Sequence, residues 1–451
     1  MNPKYIAILA IVLSISVSQS EAVAQSNPFV HGPLQVNPDG RYLQHSDGTP
    51  FLYLGDTAWE LFSRLTVTEA ETYLENRRLK GFTVIQAVIL TEVNNTVAAD
   101  PVSQWILTDT LQINQSYLSH IDTVISIACR KGLYIALLPA WGDKVDKQWG
   151  KGPVLFDAEQ ARRYGRMLGH RYADRPNIIW VLGGDRSGTG KNKTVWHAMA
   201  EGIKEFDSDH LMTFHPQGEH SSSLWFHNEK WLDFNMFQSG HCQSSYEIYR
   251  RLLLHDYALS PVKPVIDGEP RYEDMPKNFQ IEQGRYSDYD IRKSLYHSML
   301  SGACGYTYGC NNIWQMYDLG CEPKCHARTP WYQSLDMQGA CQLIYFRHLW
   351  DAFPFVEGKP KSDAIEAEAG YEGDEAVAFG NQDYLLCYFP EGEKWTVRLD
   401  SAWRDSLFSL QWLNPSDGTY CDIGEDMGQV FQINLPSEKS NKDWVLIIKR
   451  I

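Results

Sequence analysis

The stretch Asn177-Ile178-Ile179-Trp180-Val181-Leu182-Gly183-Gly184-Asp185 is a run of large apolar residues without polar alternation, closed by two glycines and a carboxylate. Such a run reads as a strand buried on both faces, the condition of a parallel sheet covered by helices. Working outward, the same order recurs: short apolar run, polar loop, amphipathic helical stretch. Upstream lie Phe51–Gly55, Thr83–Ala87 and Tyr134–Pro139; downstream lie Leu211–His215, Phe234–Gln238, Pro264–Asp267 and Gly305–Tyr308. Helical periods at Val67–Lys80, Tyr117–Lys131, Asp157–Tyr172 and Asp288–Ser301 fall between several of these, and Gln338–Phe353 follows the last. With the quoted run these make eight strands, the number of a (β/α)8 TIM barrel, so the expected fold class is α/β with the barrel over residues 25–355.

The pattern changes after Phe353. Val356-Glu357-Gly358-Lys359-Pro360 reads as a connector, and short alternating runs follow at Ala376–Gly380, Tyr384–Phe389, Trp395–Leu399, Ser409–Leu413, Val430–Ile433 and Trp444–Ile448. Gly, Pro, Asn and Asp clusters separate them, so residues 356–451 are expected to form a small antiparallel β-sandwich. At the other end, Lys4, the apolar core Ile6 to Val17 and Ala22-Val23-Ala24 have the form of a secretory signal over residues 1–24. The apolar core is short of the roughly 20 residues a membrane span needs. A periplasmic or secreted protein without a membrane span is expected.

The balance of 41 basic against 56 acidic residues gives −15, which argues against nucleic-acid partners and anionic membrane surfaces. Nine cysteines in an exported chain leave at least one thiol unpaired, and five of them, Cys304 to Cys341, fall within 38 residues, where a disulfide or two is expected. Cys129 and Cys387 sit in apolar runs and read as buried thiols. Cys321-x3-Cys325-His326 lacks the companion pair of a zinc site. Gly183-Gly184-Asp185-Arg186-Ser187-Gly188-Thr189-Gly190-Lys191 lacks the spacing of a phosphate loop, and neither G-x-S-x-G nor H-E-x-x-H occurs. No metal and no cofactor is expected.

In a barrel of this kind the chemistry sits just beyond the C-terminal ends of the strands. Those positions hold Asp56 and Trp59 after the first strand, Trp141 and Asp143 after the third, Asp185 and Arg186 after the fourth, His215 after the fifth, Gln238 and His241 after the sixth, and Glu269 after the seventh. Asp185 and Glu269 then face one cavity from different sides. Glycoside cleavage needs such a pair: a proton donor for the leaving oxygen and an anion for the oxocarbenium-like centre, with environments that drive the two pKa values apart. Competing structural readings are a helix cap for Asp185 and an ion pair with a neighbour such as Arg271 for Glu269. Trp59, Trp141 and Trp314 offer flat apolar faces to sugar rings, or serve as core. Asp56, Asp143, His215, Gln238 and His241 are candidates for holding hydroxyls, and Arg186 for receiving an acidic sugar. The expected partner is an oligosaccharide or polysaccharide.

Together, Gly55-Asp56-Thr57-Ala58-Trp59, Gly132-Leu133 through Pro139-Ala140-Trp141-Gly142-Asp143, Arg175-Pro176 through Asp185, and Asp267-Gly268-Glu269-Pro270 resemble the apiosidase-like glycoside hydrolases over nearly the whole mature chain. That family pairs a (β/α)8 domain with a small C-terminal β-sandwich that carries a collagen-binding label. The resemblance implies retaining hydrolysis, with Asp185 as acid/base and Glu269 as nucleophile. It also implies release of apiose linkages in the pectin rhamnogalacturonan-II. Alternatives left open are an endo-acting β-glycanase on another polysaccharide and a non-catalytic carbohydrate-binding protein.

Overall fold

A computed structural model of the chain describes residues 27–91, 114–242, 245–369, 371, 373, 375–436 and 442–451. The expected signal segment lies outside these residues. Eight parallel strands form the central sheet: β1 (Tyr53–Thr57), β2 (Val84–Leu90), β3 (Tyr134–Ala140), β4 (Ile178–Gly183), β5 (Met212–His215), β6 (Asn235–Phe237), β7 (Val265–Asp267) and β8 (Gly305–Tyr308). Their order is β5-β4-β3-β2-β1-β8-β7-β6, so neighbours in sequence are neighbours in space and β8 returns to β1. The remaining seam, β5 against β6, is stitched by Asp233 N–H to Met212 O at 2.8 Å and Thr213 Oγ1–H to Phe234 O at 2.6 Å. Every residue of the eight strands is buried.

All eight expected strands are present, shifted by up to three residues at their ends. The first begins at Tyr53 rather than Phe51, because Phe51 is taken by a small antiparallel sheet of Leu34–Val36, Leu43–His45 and Pro50–Phe51. Helix starts follow local chemistry. Thr66 and Glu69 form a capping box at Val67–Leu79, and Asp157 and Gln160 another at Ala158–Tyr172. The latter helix packs on Lys191–Lys204 through Gly165, Gly169 and Gly202, where a Cβ would meet opposing backbone oxygens at 2.3–2.5 Å.

The C-terminal region is two antiparallel sheets, of six and three strands. Tyr420–Asp426, an edge strand exposed at every residue, escaped the sequence reading because its Asp, Gly and Glu content carries no buried face. One face of the larger sheet joins the barrel core through Val377, Phe379, Tyr388 and Val445. Arg292 grips Asp443 bidentately at 2.8 and 3.0 Å, and Tyr296 stacks on Tyr388 with ring centroids 4.7 Å apart.

The disulfides expected around Cys304–Cys341 are not formed, and none of the nine cysteines is in a disulfide. Cys304, Cys310 and Cys387 are fully buried; their apolar surroundings treat each thiol as a small hydrophobe. Among the described residues no helix is long and apolar enough to cross a membrane.

Candidate active site

Strand β4 delivers Asp185 through an unusual turn. Gly183, Gly184 and Asp185 have φ of +94°, +108° and +56°. Glycine takes such values freely, and Asp is among the few other residues that tolerate them. The turn is also crowded: a Cβ on Gly183 would lie 2.2 Å from His215 O, and one on Gly184 2.8 Å from the Trp141 ring. The backbone ties β4 to both neighbours, with Gly184 N–H donating to His215 O at 3.1 Å and Gly142 N–H to Gly184 O at 3.0 Å. The sharp turn therefore sets the direction of the Asp185 carboxyl. Gly184→Ala is expected to keep the fold but lower kcat by about a hundredfold, the loss that about 1 Å of misplacement can cause. Unchanged kcat in steady-state assays would refute this.

Glu269, two residues past β7, is buried and surrounded by donors. Gln238 Nε2 donates to Oε2 at 2.8 Å, His215 Nε2 lies 3.0 Å from Oε2, His241 Nε2 lies 3.3 Å from Oε1, and Tyr272 donates its hydroxyl to Oε1. Burial alone would raise this carboxyl, but the hydrogen bonds and charges of His215 and His241 outweigh it and hold it well below the usual carboxylate range. The same contact raises the His215 imidazole against a burial effect of opposite sign.

Asp185 behaves in the opposite way. Its carboxyl is pushed up to about 6, first by burial and then by the Glu269 charge. Its Oδ1 is shielded from solvent with no intramolecular partner. Donor atoms of Asp185, His215 and Glu269 all lie within 4.8 Å of one another. Such a set could hold a metal ion, although hydrolysis by a carboxyl pair does not require one. What the arrangement offers chemically is a carboxyl of raised pKa, able to donate a proton, beside an ionised carboxylate in buried surroundings.

The structure brings most of the remaining candidates here. Trp59 and Trp141 pack with centroids 5.1 Å apart, and both rings lie against His215, at 5.4 and 5.8 Å. They form an aromatic wall that fixes the imidazole. Gln238 bonds Glu269 and also lowers Asp185, so it lies against both carboxyls. Trp314 is half-buried and packs beside Tyr272, Met275 and Tyr286.

Three candidates are corrected. Asp56 is fully buried, held at 2.5 Å by both Arg77 Nε and the Tyr73 hydroxyl, so it braces β1 against the helix Val67–Leu79 instead of holding a sugar. Asp143 is fully buried, its Oδ2 taken by Lys144 Nζ at 3.1 Å and Gly152 N–H at 2.8 Å, out of reach of a solvent-borne sugar. Arg186 donates to the carbonyls of Asp146, Lys147 and Asp185 at 2.6, 2.9 and 2.9 Å, which makes it a strut of the loop after β3 and leaves no fork for an acidic sugar. The helix after Asp185 starts at Lys191 with Gly190 at its cap, so Asp185 does not cap it, and the neighbours that hold Glu269 are His215, His241, Gln238 and Tyr272. Tyr272 was missed, since only its spacing three residues past Glu269 could have drawn attention to it.

Residues 37–357 match the family described as "Apiosidase-like, catalytic domain", and residues 360–449 match "Putative collagen-binding domain of a collagenase". No curated protein matches the chain. A solved structure titled "Glycoside hydrolase" is 36% identical, covering 94% of this chain and 98% of its own, with a TM-score of 0.84. A glycoside hydrolase family 5 structure from Bacteroides vulgatus ATCC 8482 is 33% identical, covering 94% of each chain, with a TM-score of 0.85. A more distant glycoside hydrolase structure from that organism, at 17% identity and a TM-score of 0.68, shares the fold. With the barrel, the carboxyl pair and these matches together, the chain belongs to the apiosidase-like glycoside hydrolases.

Proposed function

We propose that this glycoside hydrolase retains anomeric configuration, with Glu269 as nucleophile and Asp185 as acid/base, and that it cleaves an apiose linkage in rhamnogalacturonan-II. The observation that carries the mechanism is the pair itself: two carboxyls whose oxygens come within 4.8 Å, one depressed and one raised. A retaining pair sits at about 5–5.5 Å, whereas inversion needs roughly 6.5–9.5 Å to admit a water between the carboxyls. In the first step Glu269 attacks the anomeric carbon while the Asp185 proton passes to the leaving oxygen. In the second, Asp185 takes a proton from water, which displaces Glu269 and frees the sugar. The substrate reading rests on the family match over residues 37–357. The signal pattern at residues 1–24 supports action outside the cytoplasm.

Digestion of rhamnogalacturonan-II, with product identification and the anomer followed by NMR from the first turnover, tests both parts. Free apiose formed first as the retained anomer is expected; an inverted first product would end the mechanism, and release of a different sugar the substrate reading.

The pH profile should be lopsided. Glu269 must be ionised, so activity falls only when pH drops through its depressed pKa. Asp185 must be protonated, so activity falls as pH rises past about 6. The kcat profile should therefore be broad on the acid side and decline on the alkaline side from near 6. A profile still rising between pH 6 and 8 would contradict the assigned roles.

A further inference from the structure

Two exposed aromatic residues flank the pair, and the core does not explain their placement. Trp149, 63% exposed, lies in the loop after β3 with one indole face over the Arg186 guanidinium, 4.2 Å from carbon to ring centroid. Arg186 is itself buried and anchored to the Asp185 carbonyl, so the ring is pinned beside the acid with its other face toward solvent. Gly150 makes the seat possible, because a Cβ there would lie 2.3 Å from Asp143 Cβ and 2.8 Å from Arg186 Nη2.

Phe279, 48% exposed, lies in the loop after β7 and presents its ring edge-on to His241 at 5.7 Å, the imidazole that contacts Glu269. It and Asn278 are consecutive non-glycine residues in the left-handed region, at φ +61° and +53°. Such conformations are strained and persist only where surroundings impose them, often at ligand clamps. Here the loop is clamped by Lys277 N–H to Gly284 O at 3.0 Å, Tyr286 N–H to Met275 O at 2.9 Å and Asn278 Nδ2 to Gln283 Oε1 at 2.6 Å. Hydrogen bonding within the loop thus holds a half-exposed apolar ring against the imidazole that contacts Glu269.

Trp149 is seated on Arg186, the residue after Asp185, and Phe279 on His241, which contacts Glu269, so each member of the pair has one exposed aromatic ring associated with it. We propose that these two aromatic rings are paired sugar platforms: Trp149 for the ring on the leaving-group side, Phe279 for the ring that is transferred to Glu269. This polarity rests on the roles proposed above, because the acid stands beside the leaving oxygen and the nucleophile beneath the transferred sugar. Flat apolar faces suit the C–H faces of sugar rings. The enzyme then recognises at least two sugars, one on each side of the scissile bond, and favours a glycan over a simple aryl glycoside.

Binding can be read without turnover. Glu269→Gln protein is run in native gels containing rhamnogalacturonan-II, galactomannan or mixed-linkage β-glucan, alone and with Trp149→Ala, Trp149→Tyr or Phe279→Ala added. Retardation by at least one polysaccharide is expected, weakened about tenfold by either alanine and restored by tyrosine at position 149. In the active background, Trp149→Ala should raise KM on the retarding glycan with kcat nearly unchanged. No retardation in any gel, or retardation indifferent to both alanines, overturns the platforms. Hydrolysis with an unaltered KM in both alanine variants overturns them while leaving the catalytic reading intact. Retardation that depends on Trp149 and Phe279, in a wild-type chain that hydrolyses none of the three glycans, supports the platforms and defeats the proposed function.

Discussion

Glu269→Gln and Asp185→Asn are each expected to lower kcat on a natural glycan by about 10³-fold or more, with the thermal unfolding midpoint nearly unchanged. Both replacements keep shape and remove the charge or the acidic proton. The two should then part company. Without Asp185, a substrate with a good leaving group still forms the glycosyl-enzyme, so an aryl glycoside suffers far less than the glycan, and added azide intercepts the intermediate to give a product of retained configuration. Without Glu269 there is no intermediate to intercept. The shorter Glu269→Ala leaves room for azide to attack directly, giving the inverted glycosyl azide. Glu269→Gln also deletes the charge that helps hold Asp185 up, so the Asp185 carboxyl should drop from about 6 toward the ordinary range, which NMR titration reads. Wild-type turnover in either variant would remove the assignment, and azide products of the opposite stereochemistry would exchange the two roles.

The second large effect is on stability. Arg77→Met is expected to cost about 3–5 kcal/mol, because it leaves the Asp56 carboxylate buried without its counter-charge. Both residues are fully buried, and Arg77 also donates to Leu335 O at 2.8 Å and Asn76 Oδ1 at 2.9 Å. One guanidinium therefore joins β1, the helix Val67–Leu79 and the segment leading into Gln338–Ala352. Burial is the largest influence on Asp56 and raises its pKa, with Arg77 the leading influence in the other direction. Losing Arg77 should drive Asp56 to take up a proton or to open the local structure. The double variant Asp56→Asn/Arg77→Met, which has no stranded charge, should recover much of the loss. Urea unfolding of the three proteins measures this; a single variant within about 0.5 kcal/mol of wild type would show the pair to be dispensable.

How far the site was legible follows from what each residue depends on. The positions of Asp185 and Glu269 are local facts: each stands just past an apolar run that becomes a buried strand, and a barrel gathers all such positions at one end. His215, Gln238 and His241 were visible for the same reason, as were Trp59 and Trp141. Asp56, Asp143 and Arg186 meet that rule equally well and yet serve structure, because their fate was decided by Arg77, by Lys144 and Gly152, and by the carbonyls of Asp146, Lys147 and the adjacent Asp185. A strand-end position says that a side chain is near the mouth; it does not say which other group reaches it first.

What the amino-acid order determined alone was therefore the eight-strand period, the β-rich C-terminal region and the two carboxyls, since buried strands and turn glycines are written within a few residues of one another. Tertiary structure decided which polar side chains were already engaged, kept the cysteines out of disulfides, enlisted Tyr272, and seated Trp149 on Arg186 and Phe279 on His241. It also split the two carboxyl pKa values, because burial and electrostatic fields are sums over neighbours that lie far apart in the chain.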